Sequence, residues 1–229
     1  MLLKISKIKS NLIVRIFRRV IYPHLKGEFL SYFENKKIHI LDVGCGNDSP
    51  SLIKSILPSC VYTGIDVSDY NQTKTNVADN YILVSPDVFS DEILKMSNSF
   101  DVVLSSHNLE HCNKREETLV AMIKALKPKG RLYLSFPSEK SVKFPSRQGT
   151  LNYYDDNTHK DLPPSYEKVL EILKENNMSV LYSTISHKPF LPWLIGCLTE
   201  PISKIKNKTN YYTWCYYGFQ TIIWAEKTK

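Results

Sequence analysis

Between residues 38 and 136 the chain alternates short β-branched or apolar runs with amphipathic stretches, and this alternation leaves few folds open. Residues 38–43 (Ile-His-Ile-Leu-Asp-Val) read as a buried strand, and 61–66, 81–84, 100–105 and 131–136 read as four more. Helical patterns fall between them, the clearest from Lys114 to Leu126. Parallel neighbours need a crossover long enough for a helix, and such crossovers cover both faces of a sheet. The chain therefore predicts an α/β fold with a mostly parallel sheet and helices on both faces. Residues 179–185 and 219–225 read as two closing strands.

The first strand ends in Gly44-Cys45-Gly46, and Asn47-Asp48-Ser49-Pro50 reads as a helix entry, with Ser49 the cap and Pro50 the first helical residue. In an open sheet of this kind ligands bind beyond the carboxyl ends of the strands, where strand order reverses. Glycines there let the backbone turn and approach a ligand without a Cβ in the way. Asp66 ends the second strand, where a carboxylate can accept from both hydroxyls of a ribose. Asp87 follows the third strand, in position for an adenine edge. A dinucleotide site needs a full Gly-x-Gly-x-x-Gly, and Ser49 stands where the third glycine belongs. Asp42 would repel a pyrophosphate but suits a ligand carrying an ammonium and a sulfonium. These features favour S-adenosylmethionine (SAM) over a nucleotide phosphate.

With those residues in view, the sequence resembles the class I SAM-dependent methyltransferases. Residues 40–46 match that family's first motif, 64–68 its second, 100–111 its strand-four motif and 126–132 its turn into the fifth strand. The resemblance implies a Rossmann-like, seven-stranded sheet with an antiparallel closing strand. It also implies that Asp42, Gly44, Cys45 and Gly46 hold the methionine part of SAM, Asp66 and Val67 the ribose, and Asp87 with Val88 the adenine. Ser106 and His107 then stand at the cofactor end of the fourth strand. Ser85-Pro86-Asp87 departs from the pattern, which often has a glycine before the acid.

The composition, 42% hydrophobic and 23% charged, is that of a folding domain. Five dispersed cysteines with no Cys-x-x-Cys pair, and no continuous apolar leader, read as reduced thiols in a cytoplasmic protein. The net charge of +7 is concentrated early: Lys4, Lys7, Lys9, Arg15, Arg18, Arg19 and Lys26 all precede the first acid, Glu28. Residues 10–22 carry Ile13, Ile16, Phe17 and Val20 at helical spacing, so residues 1–35 read as a basic helical extension of a domain over 36–229. That helix either covers a face of the domain or lies on an anionic membrane surface. No nucleic-acid-binding motif accompanies the charge.

For the methyl acceptor the candidate bases are His107, His111 and His159. His111, within Leu109-Glu110-His111, is a cofactor-orienting or catalytic residue by the resemblance. His159 lies in an acceptor-side loop over residues 138–164, where Asp155 or Asp156 could stabilise its imidazolium. Asp156-Asn157-Thr158-His159 resembles a segment of methyltransferases encoded with bacterial surface-polysaccharide enzymes, which implies a saccharide or lipid-linked glycan acceptor. A small molecule or lipid acceptor, or a non-catalytic SAM-binding module, are the alternatives. His107, His111, Asp155 and His159 are acceptable metal ligands, but no acidic pair accompanies the fourth strand and no metal is assigned. Residues 187–218 form an insertion rich in aromatics, among them Trp193, Tyr211, Trp214 and Tyr217, read as packing, a lid or a sugar platform.

Overall fold

The computed structural model describes residues 19–69 and 76–229. Its strands are β1 (His39–Val43), β2 (Val61–Asp66), β3 (Asn80–Leu83), β4 (Phe100–Ser106), β5 (Leu126–Pro137), β6 (Met178–Thr184) and β7 (Gln220–Lys227). The helices are α1 (Lys26–Ser31), α2 (Ser49–Ile56), α3 (Phe89–Leu94), α4 (Arg115–Ala125), α5 (Tyr166–Glu175), α6 (Phe190–Ile205) and α7 (Tyr211–Tyr217). The strands form one sheet in the order β3-β2-β1-β4-β5-β7-β6. β1 to β5 run parallel, and β7 enters antiparallel between β5 and β6. This is the Rossmann-like seven-stranded α/β arrangement that the sequence predicts, with its switch point between β1 and β4.

Side chains alternate between faces along each strand, and that period of two divides the core. Leu41, Val43, Val103, Leu132, Leu134 and Ile223 meet α3, α4 and α5 on one face. Ile40, Val102, Leu104, Tyr133, Ile222 and Trp224 meet α1 and α2 on the other. Phe29, Leu30 and Phe33 belong to the second core, and the Trp224 indole donates to the His24 carbonyl at 3.0 Å. The stretch from His24 onward is thereby fastened to the sheet. The predicted basic helix lies mostly outside the described residues; residues 19–21 are helical and Pro23 follows them.

Several local expectations change. Ser49 opens α2 but does not cap it, because its hydroxyl donates to Asp42 instead, and the cap position is Asp48 with φ 53°. The turn over 127–130 is absorbed as an irregularity within β5, whose pairing shifts register between Phe100 and Val102. The acceptor-side loop contains two short 3-10 turns, Glu139–Lys143 and Tyr153–Asp155. The aromatic insertion is a pair of helices, α6 and α7, packed on each other. No helix among the described residues is long and apolar enough to cross a membrane.

Candidate active site

The loop after β1 is built on two left-handed glycines, Gly44 (φ 69°) and Gly46 (φ 54°). The Gly46 N–H donates to Asp66 Oδ2 at 2.8 Å, and the Val67 N–H donates to Asp66 Oδ1 at 2.7 Å. Asp66, 5% exposed, thus locks the loop to the end of β2. Each of its oxygens keeps a second lone pair for a ribose hydroxyl.

Asp42 lies under the loop, 1% exposed. Its Oδ2 accepts from Ser49 and from the Tyr62 hydroxyl at 3.0 Å, and the Lys26 ammonium stands 3.9 Å away. Its Oδ1 is buried with no hydrogen-bond partner among the described residues. A buried, half-satisfied carboxylate is costly unless a cation or donor completes it. A Cβ placed on Gly46 would meet nothing within 4 Å, so there is open space above. An anionic floor under an open glycine cradle fits the methionyl end of SAM. Burial, with Asp42 and Asp66 adding to it, pushes the Cys45 thiol up to about 12, so Cys45 stays neutral packing. Burial beside Asp42 likewise raises Tyr62, keeping it a donor.

Beyond Asp66 a slot is lined by Val67, Pro86, Phe89, Asn108, His111 and Cys112. Val67, Pro86 and Phe89 give it apolar lining suited to a flat base. Asp87 and Val88, predicted to contact the adenine, sit exposed on the Pro86–Val88 turn beside it. Pro86, Phe89 and Asn108 were not singled out from sequence. Asn108 is the reason for Gly44: a Cβ there would stand 2.3 Å from Asn108 Oδ1.

Ser106 ends β4 and His107 follows it, and both side chains bond to protein groups. The Ser106 hydroxyl pairs with Ser135 at 3.0 Å. His107, at φ 51°, bonds Glu110 Oε1 through Nδ1 at 3.0 Å and the Gln220 amide through Nε2 at 2.9 Å. Both ring nitrogens are engaged, and Trp214 and Phe219 flank the ring.

His111, in the Leu109–His111 turn after β4, and His159 of the acceptor-side loop come together with ring centroids 4.8 Å apart. The Thr158 hydroxyl donates to Asp156 at 2.6 Å, so it accepts from His111 Nδ1 at 2.9 Å. His159 Nδ1 donates to the Tyr153 carbonyl at 2.5 Å, and its ring stacks on Tyr153. These partners assign the Nδ1–H tautomer to both, leaving each Nε2 with a lone pair. Asp156 Oδ2 lies 4.0 Å from His159 Nε2, so Asp156 is the carboxylate that can support an imidazolium. Burial opposes ionisation of Asp156, but hydrogen bonds from Thr158 and the electrostatic pull of His159 and His111 hold its carboxyl below the ordinary range. Asp155, the other candidate, instead accepts from the backbone N–H groups of Arg147, Leu151 and Asn152.

Among the described residues, Glu110, His111 and His159 form a group whose potential ligand atoms all lie within 4.8 Å of one another, and a cation would find its donors there. Asp155 is not part of it. A separate, more apolar cavity between α4, α5 and the loop is lined by Leu109, Arg115, Val142, Leu162 and Val169 and shares no residue with the glycine loop. Over the carboxyl edge of the sheet, Trp214 of α7 stacks on Phe219 and donates to the Thr150 carbonyl at 2.8 Å. Tyr217 and Arg147 meet at Glu200, so these aromatics serve chiefly to pack the insertion.

A family profile described as a methyltransferase domain matches residues 15–182. The chain belongs to that family. It is 30% identical over 154 residues to a ubiquinone biosynthesis O-methyltransferase of Pelagibacter ubique, covering 63% of each chain. A 27-O-demethylrifamycin SV methyltransferase of Amycolatopsis mediterranei is 29% identical over 102 residues, which are 42% of this chain and 37% of that one. The chain therefore spans less than two thirds of either curated relative. Among solved structures, 1,6-didemethyltoxoflavin-N1-methyltransferase of Burkholderia thailandensis, with S-adenosylhomocysteine bound, superposes with a TM-score of 0.53 at 12% identity, covering 99% of this chain and 89% of that one. At that identity the likeness speaks for the fold.

Proposed function

We propose that the protein is a SAM-dependent methyltransferase acting on a hydroxyl of a saccharide or lipid-linked glycan. The observation that carries the reading is the Gly46 to Asp66 hydrogen bond above the unpartnered Oδ1 of Asp42. SAM, when bound, supplies a methyl group made electrophilic by its cationic sulfur. The chain's own residues bind, align and deprotonate. Asp42 and the glycine loop hold the ammonium end, Asp66 the ribose, and the slot between Val67 and Pro86 the adenine. Alignment matters most, since an in-line displacement gains from holding its partners at reacting distance. His159 takes the acceptor proton through Nε2, directly or with His111, and Asp156 steadies the resulting charge. The Asp156–His159 segment and the loop that carries it are what favour a sugar acceptor.

The two curated relatives are named for small-molecule methylation, one of them as an O-methyltransferase, and they favour a second reading. In it the same site methylates a hydroxyl of a smaller, partly apolar acceptor. Calorimetric titration with SAM and S-adenosylhomocysteine tests the cofactor, and binding of neither ends both readings. Transfer of labelled methyl from SAM to cell-envelope glycan fractions and to a lipid extract tests the acceptor. Label confined to lipid would rule out a free saccharide.

A further inference from the structure

Helix α6 is amphipathic the wrong way round. Phe190, Leu191, Leu194, Leu198, Ile202 and Ile205 are all exposed, Phe190 at 76%, Leu198 at 73% and Ile205 at 85%. At 3.6 residues per turn these six fall within an arc of about 120°. The seventh position in that arc, Pro201, is also exposed. The opposite face, which is buried, carries Pro192, Gly196 and Ser203. The orientation is fixed by close packing, because a Cβ on Gly196 would lie 2.4 Å from the Tyr212 carbonyl oxygen of α7. Rotating the apolar arc inward would drive large side chains into that contact.

The charge around the arc is of one sign. Lys188 precedes the helix and Lys204, Lys206 and Lys208 close it, all exposed. Glu200 is the one acid between Lys188 and Lys208, and it is turned inward to Arg147 and the Tyr217 hydroxyl. Both ends of the stripe are therefore basic. Two copies pairing through it would set lysines against lysines whether the helices ran parallel or antiparallel. A layer of anionic headgroups over acyl chains meets every part of the pattern, with lysines in the headgroups and the apolar arc below them. Sixteen residues span about 24 Å, short of a bilayer crossing but suited to lying in its interface.

We propose that this face of α6 docks the protein on an anionic phospholipid surface. β6 is antiparallel to β7, which is antiparallel to β5, so β6 runs with β1 and ends at the same edge as the glycine loop. α6 and α7 follow it there, and Trp214 of α7 lies 5.3 Å from the His107 ring. Docking thus brings the acceptor side of the site to the membrane. The inference does not depend on the methyl acceptor, and its test needs no turnover.

The test is co-sedimentation of the full chain with vesicles of phosphatidylcholine alone or mixed in equal parts with phosphatidylglycerol. The protein should pellet with the mixed vesicles only, and salt should weaken binding. Combined Phe190→Ser, Leu198→Ser and Ile205→Ser should cost at least tenfold in apparent affinity while leaving the melting temperature and SAM binding unchanged. Combined Lys204→Gln, Lys206→Gln and Lys208→Gln should weaken binding and flatten its salt dependence. The proposal is overturned if the full chain ignores anionic vesicles, or if the serine variant binds like the parent, which would locate binding elsewhere, as in residues 1–18. It is also overturned if size-exclusion with light scattering shows that the serine changes dissolve a dimer.

Discussion

Asp66→Asn is the sharpest single test of the cofactor site. The carboxylate accepts from the Gly46 N–H at 2.8 Å and the Val67 N–H at 2.7 Å, one on each oxygen. An amide has one oxygen, so its NH2 must face one of those N–H groups whichever way it flips. One charge-assisted bond becomes a donor facing a donor, and the other loses its charge. A hydrogen bond to a charged partner is worth about 1.5–3 kcal/mol. Loss of one in the loop and weakening of those to the ribose hydroxyls would reduce affinity roughly ten- to hundredfold, at 1.4 kcal/mol per decade. Calorimetry with S-adenosylhomocysteine reads that change, and urea unfolding separates it from a loss of stability. Undiminished affinity in a folded variant would refute the idea that Asp66 organises the loop and the ribose together.

Other expectations are independent of that one. Gly44→Ala must hold a Cβ at φ 69° and 2.3 Å from Asn108 Oδ1, so it should lose about 2–3 kcal/mol, whereas Gly46→Ala has open space and should lose only the left-handed cost of about 1 kcal/mol. Thermal melts should rank them so, with SAM affinity falling for Gly46→Ala despite its milder melt. Asp155→Ala removes the acceptor of three backbone N–H groups and should destabilise by about 2–3 kcal/mol, read as faster proteolytic nicking of residues 146–157. Burial, with His24 adding to it, lowers the His187 imidazole to about 4 from an ordinary 6.5. Between those values the unfolded chain binds a proton that the native protein refuses, so stability falls as pH drops through the window, by up to ~3 kcal/mol. His187→Gln should flatten urea midpoints there. His159→Ala should lower turnover by a hundredfold or more with little change in SAM affinity, and an equal rate would remove it from the mechanism.

Much of this architecture is legible in the sequence because it is local. A buried strand, a glycine turn and a helix entry are contiguous at residues 38–50, and a strand-ending Asp66 needs only its own run to be placed. Contacts between distant residues are less legible. Nothing adjacent to Asn108 indicates that its side chain covers Gly44, or that Ser49 would give its hydroxyl to Asp42 rather than cap α2. Asp155 and Asp156 are neighbours with equal claims on His159, and only the folded loop sends one to backbone amides and the other to the histidines. α6 was hidden for another reason. Its apolar periodicity is plain, but a pattern does not say whether the stripe faces protein or solvent, and the small residues on the far side decide it.

The position of β7 also bears on how the protein is made. Among the described residues β6 pairs with β7 and with no other strand, and β7 fills the gap beside β5. During synthesis β6 emerges with no partner, and the apolar edge of β5 stays open while the whole α6–α7 hairpin is translated. A chain stalled before Gln220 would hold two unpaired strand edges beside an exposed apolar helix, a combination prone to self-association. Chaperone engagement should therefore be concentrated in nascent chains between the end of β6 and the start of β7.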